Sequence, residues 1–351
     1  MIVKQQIKFI LKLTVAHALY GLGVLQLWQR IVLRKKAVVL MYHRVLTKED
    51  RAKTGSSPGI VVDRDAFATQ MSVLKQRFKV LSVEEFANRM ERSVPFEDSS
   101  CLITFDDGWR DNYAEALPIL QRHQLPALVF LPVNFIGGPR VFWQEHLTHL
   151  AVRAVQLVRN DPGRRSQLHE GLAPMRLDSV LNLPDHDPRP AVIEAVRKKK
   201  GLAPALINAT LASLTHALSM GGEELEEVDA FLSWEQVNSM ARHGIAFGGH
   251  GAEHRILTFV PLDEARDEIR TSRQVLERGV PASVPTFSYP NGNWSPEVAT
   301  LVKEAGYRLA FTTEPGFVSC DDDRFAIRRV NIHEGLMNSK PMFLARVVGL
   351  F

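Results

Sequence analysis

Apolar positions fall along this chain in two rhythms. Short apolar runs at residues 37–45 (ending in polar groups), 80–81, 101–103, 127–131 and 245–248 read as buried strands. Between them, apolar residues recur at helical spacing. Residues 65–77 place Phe67, Met71 and Leu74 on one face, and 112–124 and 262–278 follow the same period. Helix starts are marked as well. Ser82 precedes Glu85 in a capping-box pattern, and Ser233 stands as an N-cap before Trp234. Strand followed by helix, repeated, implies a parallel sheet or barrel with its site at the strand C-termini.

Three stretches depart from that rhythm. Residues 48–59 are polar and rich in Gly, Ser and Pro, and read as a loop. From about 145 to 230, helical segments alternate with Pro- and Asp-rich turns and no strand is evident, which reads as a mostly helical insertion. It contains His146-x-x-His149, without a nearby carboxylate to complete a metal motif, and Trp143, for which core packing outweighs a sugar-stacking role. Residues 1–36 carry Lys4, Lys8 and Lys12 as a helical stripe beside Ile, Phe and Leu, and end in Arg34-Lys35-Lys36. The uncharged run between Lys12 and Arg30 is short and interrupted for a spanning helix. Ala16-His17-Ala18 mimics a secretory cleavage site, but Lys8 and Lys12 interrupt the apolar segment before it. Two readings of this segment remain: a helix packed on the main domain, and a basic amphipathic helix on a membrane surface.

Composition narrows the class. With 351 residues, 45% hydrophobic and 23% charged, the chain has the make-up of a globular protein with a sizeable core. A net charge of +4 and a pI near 9.1 favour anionic lipid or phosphate mildly and fall short of a nucleic-acid signature. Cys101 and Cys320 make no disulfide framework and fit a reducing compartment.

Two motifs carry chemistry. Thr104-Phe105-Asp106-Asp107-Gly108 puts adjacent acids at the end of a buried strand, where an ionised carboxylate needs a partner or a metal. The bland alternative is an Asp-Asp-Gly turn with Asp107 as a helix N-cap. Gly249-His250-Gly251-Ala252-Glu253-His254 spaces two imidazoles four apart, one helical turn, where both can reach one cation. With 12 His in the chain, roughly 0.4 such pairs arise by chance, so spacing alone decides nothing. Two His and one carboxylate, however, form a recurring catalytic zinc set.

In this order the two motifs resemble the polysaccharide deacetylase family, the NodB-like carbohydrate esterases. The resemblance spans most of residues 37–351 outside the insertion. It implies an α/β fold, a distorted (β/α) barrel, and a metal-dependent hydrolase that removes an N-acyl group, expected to be N-acetyl, from an amino sugar of a polysaccharide or lipid-linked glycan. It implies Asp106 as general base, and Asp107, His250 and His254 as ligands of one divalent ion, expected to be zinc. Leu40-Met41-Tyr42-His43 is similar to the front strand of a permuted branch, which implies His43 as general acid. The family's third motif, Arg-x-Pro-Tyr, is matched in part by Ser288-Tyr289-Pro290-Asn291. Pro290 is kept, and the Asn291 N–H is the expected oxyanion donor. Ser288 replaces the Arg that pairs with the base, so Arg328 or Arg329 is expected to supply that charge, Arg329 being favoured. Gly251 stands where the family usually has Ser or Thr.

The expected layout is a basic amphipathic segment (1–36) and a barrel (37–351) with its insertion at about 145–230. A glycan or glycolipid substrate, no nucleic acid, and a cytoplasmic protein at the inner membrane face complete the expectation. The rivals are a metal-independent glycosidase using Asp106 with a second acid, and a carbohydrate-binding barrel that has lost turnover with the missing Arg.

Overall fold

The computed structural model describes residues 2–218, 227–280, 284–333 and 339–351, with side chains from Phe9 onward. The side chains of Lys4 and Lys8 therefore lie outside the described residues. The chain forms two compact units, one of 1–48, 58–138 and 231–351, the other of 49–57 and 139–230.

Among the described residues the first unit is built on ten strands: β1 (Ala37–Tyr42), β2 (Arg44–Leu46), β3 (Val61–Asp63), β4 (Lys79–Val80), β5 (Ser100–Phe105), β6 (Ala127–Leu131), β7 (Ile245–Gly249), β8 (Thr286–Ser288), β9 (Leu309–Phe311) and β10 (Val330–Asn331). Eight form one parallel sheet in the order β10-β1-β5-β6-β7-β8-β9, with β4 also on β5, and β2 pairs with β3 apart from it. Near-continuous apolar sequence is what a parallel strand covered on both faces requires, and every residue of β1, β5 and β6 is buried. The sheet curls into a distorted (β/α) barrel. The run from Ile327 to Asn331 steps between its edges: Ile327 bridges Phe311 of β9, and Val330 pairs with Leu40 of β1.

Register then sets the site. Tyr42 of β1 lies beside Phe105 of β5, so the next residues, His43 and Asp106, emerge side by side, and the Asp106 N–H donates to the Tyr42 carbonyl (2.9 Å). Leu131 of β6 lies beside Gly249 of β7, and the His250 N–H donates to the Leu131 carbonyl (2.9 Å). The apolar run at 37–45 is broken at His43, which separates β1 from β2.

The expected helices form. Arg64–Arg77 is capped by Asp63, whose carboxylate accepts from two N–H groups, and it buries Phe67, Met71 and Leu74. Ser233 and Gln236 form a complete capping box on Trp234–Arg242. The stretch 112–124 opens with a π-helical turn, Asn112–Ala116, before continuing as Leu117–His123.

At the N-terminus, α1 (Ile2–Gly21) packs against the helix Lys340–Val347, and α2 (Val24–Val32) follows at a sharp bend. Ala16, Leu25 and Leu33 are buried, while Ile10, Leu11, Leu22, Leu27, Trp28 and Ile31 are exposed. No single described helix is long and apolar enough to cross a membrane; Phe9–Gly21 and Val24–Val32 reach that composition only together, bent by 88°.

The second unit is helical. Trp143–Asn160, Arg165–Leu172, Arg189–Arg197 and Pro204–Ala217 pack Leu147, Leu150, Val155, Leu168, Leu172, Val192 and Leu214 into one core, with Trp143 partly buried against it. The polar stretch at 48–59 is not a free loop. Thr54 and Ser56 are buried, and their hydroxyls donate to Asp229 (2.6 Å) and Glu145 (2.9 Å). Polar sequence here reflects satisfied hydrogen bonds rather than solvent, which patterning cannot distinguish.

Candidate active site

The Asp-Asp pair ends β5 in a turn that only a few residue types accept. Asp107 and Gly108 both have positive φ, 74° and 67°. A Cβ on Gly108 would also meet Leu131 Cδ2 at 2.5 Å, so this position is closed to larger residues. That turn, and not strand alternation, lets both carboxylates face one site. Each is almost fully buried, at 2% and 5% exposure.

Asp106 is held by Arg329. The two terminal nitrogens of the guanidinium donate to its two carboxylate oxygens at 2.7 Å each. Arg329 also donates to Ser288 Oγ (2.9 Å), Thr104 Oγ1 (3.2 Å) and the Thr312 carbonyl (2.8 Å), and is fully buried. Arg328, the other candidate, is exposed. Ser288, standing in the position of the family's Arg, donates its hydroxyl to Asp106 Oδ2 (3.4 Å). The guanidinium thus reaches the acid from the chain segment that joins β9 to β1, not from β8. Burial raises the Asp106 pKa, but Arg329, with smaller contributions from His250 and His43, offsets it and holds the carboxyl below its usual value.

Asp107 gathers the two histidines. Its Oδ1 lies 3.4 Å from His250 Nε2 and 3.3 Å from His254 Nε2, and one ligand atom from each of the three falls within 4.8 Å of the others. Its other oxygen accepts from Trp109 Nε1 (3.0 Å). His250 donates from Nδ1 to the Ser288 carbonyl (2.7 Å), which turns Nε2 toward Asp107 and, in the neutral ring, makes Nε2 the ligand atom. The donor set and this tautomer fit a divalent cation. Burial raises the Asp107 pKa, yet hydrogen bonds from the two imidazoles, donated when a proton rather than a cation lies between them, pull it well below the usual carboxylate range.

The two histidines do not share a helical turn. Residues 250–256 form an irregular loop in which Gly251 and His254 take positive φ, 77° and 55°. Glu268, on the helix Leu262–Gly279, pins that loop: its Oε2 accepts from the Ala252 and Glu253 N–H groups, each at 2.8 Å. A Cβ on Gly251 would lie 2.9 Å from the same oxygen. Gly251 is therefore tied to Glu268, which occupies the space a side chain there would need.

His43 lies 4.0 Å from Asp106, measured from Nε2 to Oδ2. Its Nδ1 is buried without a hydrogen-bond partner among the described residues. Burial lowers its pKa, and the neighbouring carboxylates only partly offset that. Asn291 follows β8 in the short turn Pro290–Gly292 with φ 59°. Pro290 lies 3.6 Å from the Gly251 Cβ position, so the Asn291 turn adjoins the histidine loop. His149, in the second unit, is bonded to Asp229 (Nε2 to Oδ2, 2.6 Å) and joins no ligand cluster among the described residues.

Sequence reading missed Glu268, Trp109 and the partner role of Ser288. Glu268 sits on the apolar edge of a charged helix, a weak signal; Trp109 stands two residues after Asp107 and was legible by proximity.

Comparisons with known proteins agree on the family. The model of the polysaccharide deacetylase family matches residues 93–152 and 198–310. Bacillus subtilis YxkH, whose name places it among polysaccharide deacetylases, is 20% identical over 313 residues, covering 89% of this chain and 77% of its own. The poly-beta-1,6-N-acetyl-D-glucosamine N-deacetylase of Staphylococcus epidermidis is 32% identical over 113 residues, 30% of this chain and 39% of that protein. The Streptococcus pyogenes deacetylase PplD, solved with acetate, has a TM-score of 0.55 at 18% identity, covering 89% of this chain and 98% of that one. IcaB from Ammonifex degensii gives 0.55 at 18%, covering 90% and 97%. These two structures share the fold.

Proposed function

Because the chain carries a polysaccharide deacetylase domain, we propose that it hydrolyses the N-acetyl groups of amino sugars in a polysaccharide or lipid-linked glycan, with one divalent ion held by Asp107, His250 and His254. The observation that carries the reading is the meeting of the three ligand atoms beside an Arg-held carboxylate. When bound, the ion, zinc by its two-His-one-carboxylate set, supplies the Lewis acidity that polarises an acyl carbonyl and acidifies water. Asp106 takes the proton from the attacking water, and Arg329 keeps it ionised and aimed. The Asn291 N–H stabilises the charge that develops on the acyl oxygen. His43 hands a proton to the departing amine. The low pKa set by its burial makes it a ready donor once protonated. The S. epidermidis relative's name motivates β-1,6-linked N-acetylglucosamine as the first substrate to try. Mass spectrometry of such oligomers and of lipid-linked glycans, before and after incubation with zinc-loaded protein, tests this. Loss of acetyl is expected, and unchanged spectra across both classes would refute it.

The proposal includes place: a peripheral protein on the cytoplasmic face of a membrane. Exposed Ile10, Leu11, Leu22, Leu27, Trp28 and Ile31 on α1, α2 and the turn between them, with Arg30 and Arg34-Lys35-Lys36 nearby, suit an anionic lipid surface. The buried, unpaired Cys101 and Cys320 support the reducing side. The protein should float with anionic vesicles, less so at high salt. Sedimentation without vesicles would exclude the membrane, and a mature chain starting after Ala18 would exclude the cytoplasm.

A further inference from the structure

The His43 ring has no second-nitrogen partner to orient it among the described residues, so its aim must come from elsewhere. In a histidine that transfers protons, the nitrogen away from the substrate usually carries that function. Here the backbone at the residue and just after it is clamped instead. Asn112 Nδ2 donates to the His43 carbonyl (2.8 Å), and Asp111 Oδ1 accepts from the Val45 N–H (2.7 Å). The other oxygen of Asp111 accepts from Arg44 Nε (3.0 Å), and that guanidinium is fully buried.

The clamp continues to the metal side of the site. The Arg44 guanidinium lies over the Trp109 ring at 4.3 Å, and Phe231 stacks on that ring at 4.5 Å. The same indole donates to Asp107 (3.0 Å). A buried ion pair is rarely retained for stability, since desolvation offsets its attraction; fixing one geometry is its better-attested use. The π-helical turn that begins at Asn112 fits this, because such turns often mark functional positions.

We propose that Asp111 and Asn112 are positioning residues for the His43 imidazole, and that Arg44 and Trp109 tie this clamp to Asp107. The proposal rests on His43 as the acid of the function proposed above.

Asp111→Asn tests it in zinc-loaded full-length protein. The kcat should fall about 10- to 100-fold at unchanged KM and zinc content, the scale of a misaimed catalytic group. The NMR signals of the His43 ring should shift while those of His149 stay. In a His43→Ala background, Asp111→Asn should cost no further activity. Equal losses in both backgrounds, or His43 signals that stay in place, would overturn the proposal. Should Asp111→Asn not fold, Asn112→Ser, which spares the Arg44–Asp111 pair, is read by the same three measurements. Full activity in His43→Ala would instead refute the acid role, and the ring shift would then judge the positioning alone.

Discussion

Two buried groupings in this molecule use the same side chains to different ends. In the helical unit, Asp229 accepts from His149 Nε2 (2.6 Å), Thr54 Oγ1 (2.6 Å) and the Gly55 N–H (2.8 Å), and the other His149 nitrogen faces Arg189 (3.3 Å). Its hydrogen-bonding capacity is spent on short contacts that tie residues 49–57 to the helices. At the end of β5, Asp107 Oδ1 faces two imidazole nitrogens at 3.3 and 3.4 Å, distances beyond the usual hydrogen-bond range. There Nδ1 of His250 and Oδ2 of Asp107 are the occupied outer atoms, and Oδ1 of Asp107 and the two Nε2 atoms face one another. Histidine and aspartate in contact do not define a metal site. Three ligand atoms, one from each residue and all within 4.8 Å of one another, make a candidate for one.

The sharpest way to break this contrast is to delete its members. His250→Ala and His254→Ala should each empty the metal site and lower activity by about 10³-fold or more, the scale of losing a Lewis acid. Metal analysis of the purified variants checks it, and retained metal in both would erase the distinction. Asp106→Asn should keep the metal and lose about 10²- to 10⁴-fold in kcat. It separates the acid that takes protons from the acid that binds.

Arg329→Gln should cost less near neutral pH, on the order of 10-fold, and its signature is in the pH profile. The Arg329 charge depresses the Asp106 pKa against burial, so removing that charge raises it. Asp106 works ionised, and the acid limb of kcat/KM should therefore move to higher pH. An unmoved limb would deny Arg329 its role. The smallest effect on chemistry belongs to His149→Ala. Metal content and turnover per folded molecule should hold within about twofold, while stability falls by about 1–3 kcal/mol as buried Asp229 loses a partner. Thermal unfolding and metal analysis together read both halves.

Much of this was legible in sequence, for physical reasons. Parallel strands buried on both faces must be apolar runs, so β5 and β6 stand out, and the Asp63-capped helix follows from its period. The five residues from Thr104 to Gly108 announce themselves because adjacent acids have no place in a core. What was not legible depends on chain crossings. Sequence narrows the charge to Arg328 or Arg329 and favours the latter, but what aims Arg329 at Asp106 is the run at 327–331 crossing from β9 to β1, which no local pattern encodes. The histidine pair fits a helical turn by spacing, yet Gly251 and Glu268 hold it as a loop through contacts between residues far apart in sequence. The 49–57 stretch looks solvated because its burial is satisfied by hydrogen bonds.

The most direct test of the proposed chemistry measures acetate released from an N-acetylglucosamine oligomer by chelator-stripped protein, before and after stoichiometric zinc is returned, in the wild type and in His254→Ala. The expected result is release by the wild type that disappears on stripping and returns with zinc, and none from His254→Ala in either state. Undiminished release from the stripped wild type would contradict the assignment of Asp107, His250 and His254 as the metal site on which hydrolysis depends.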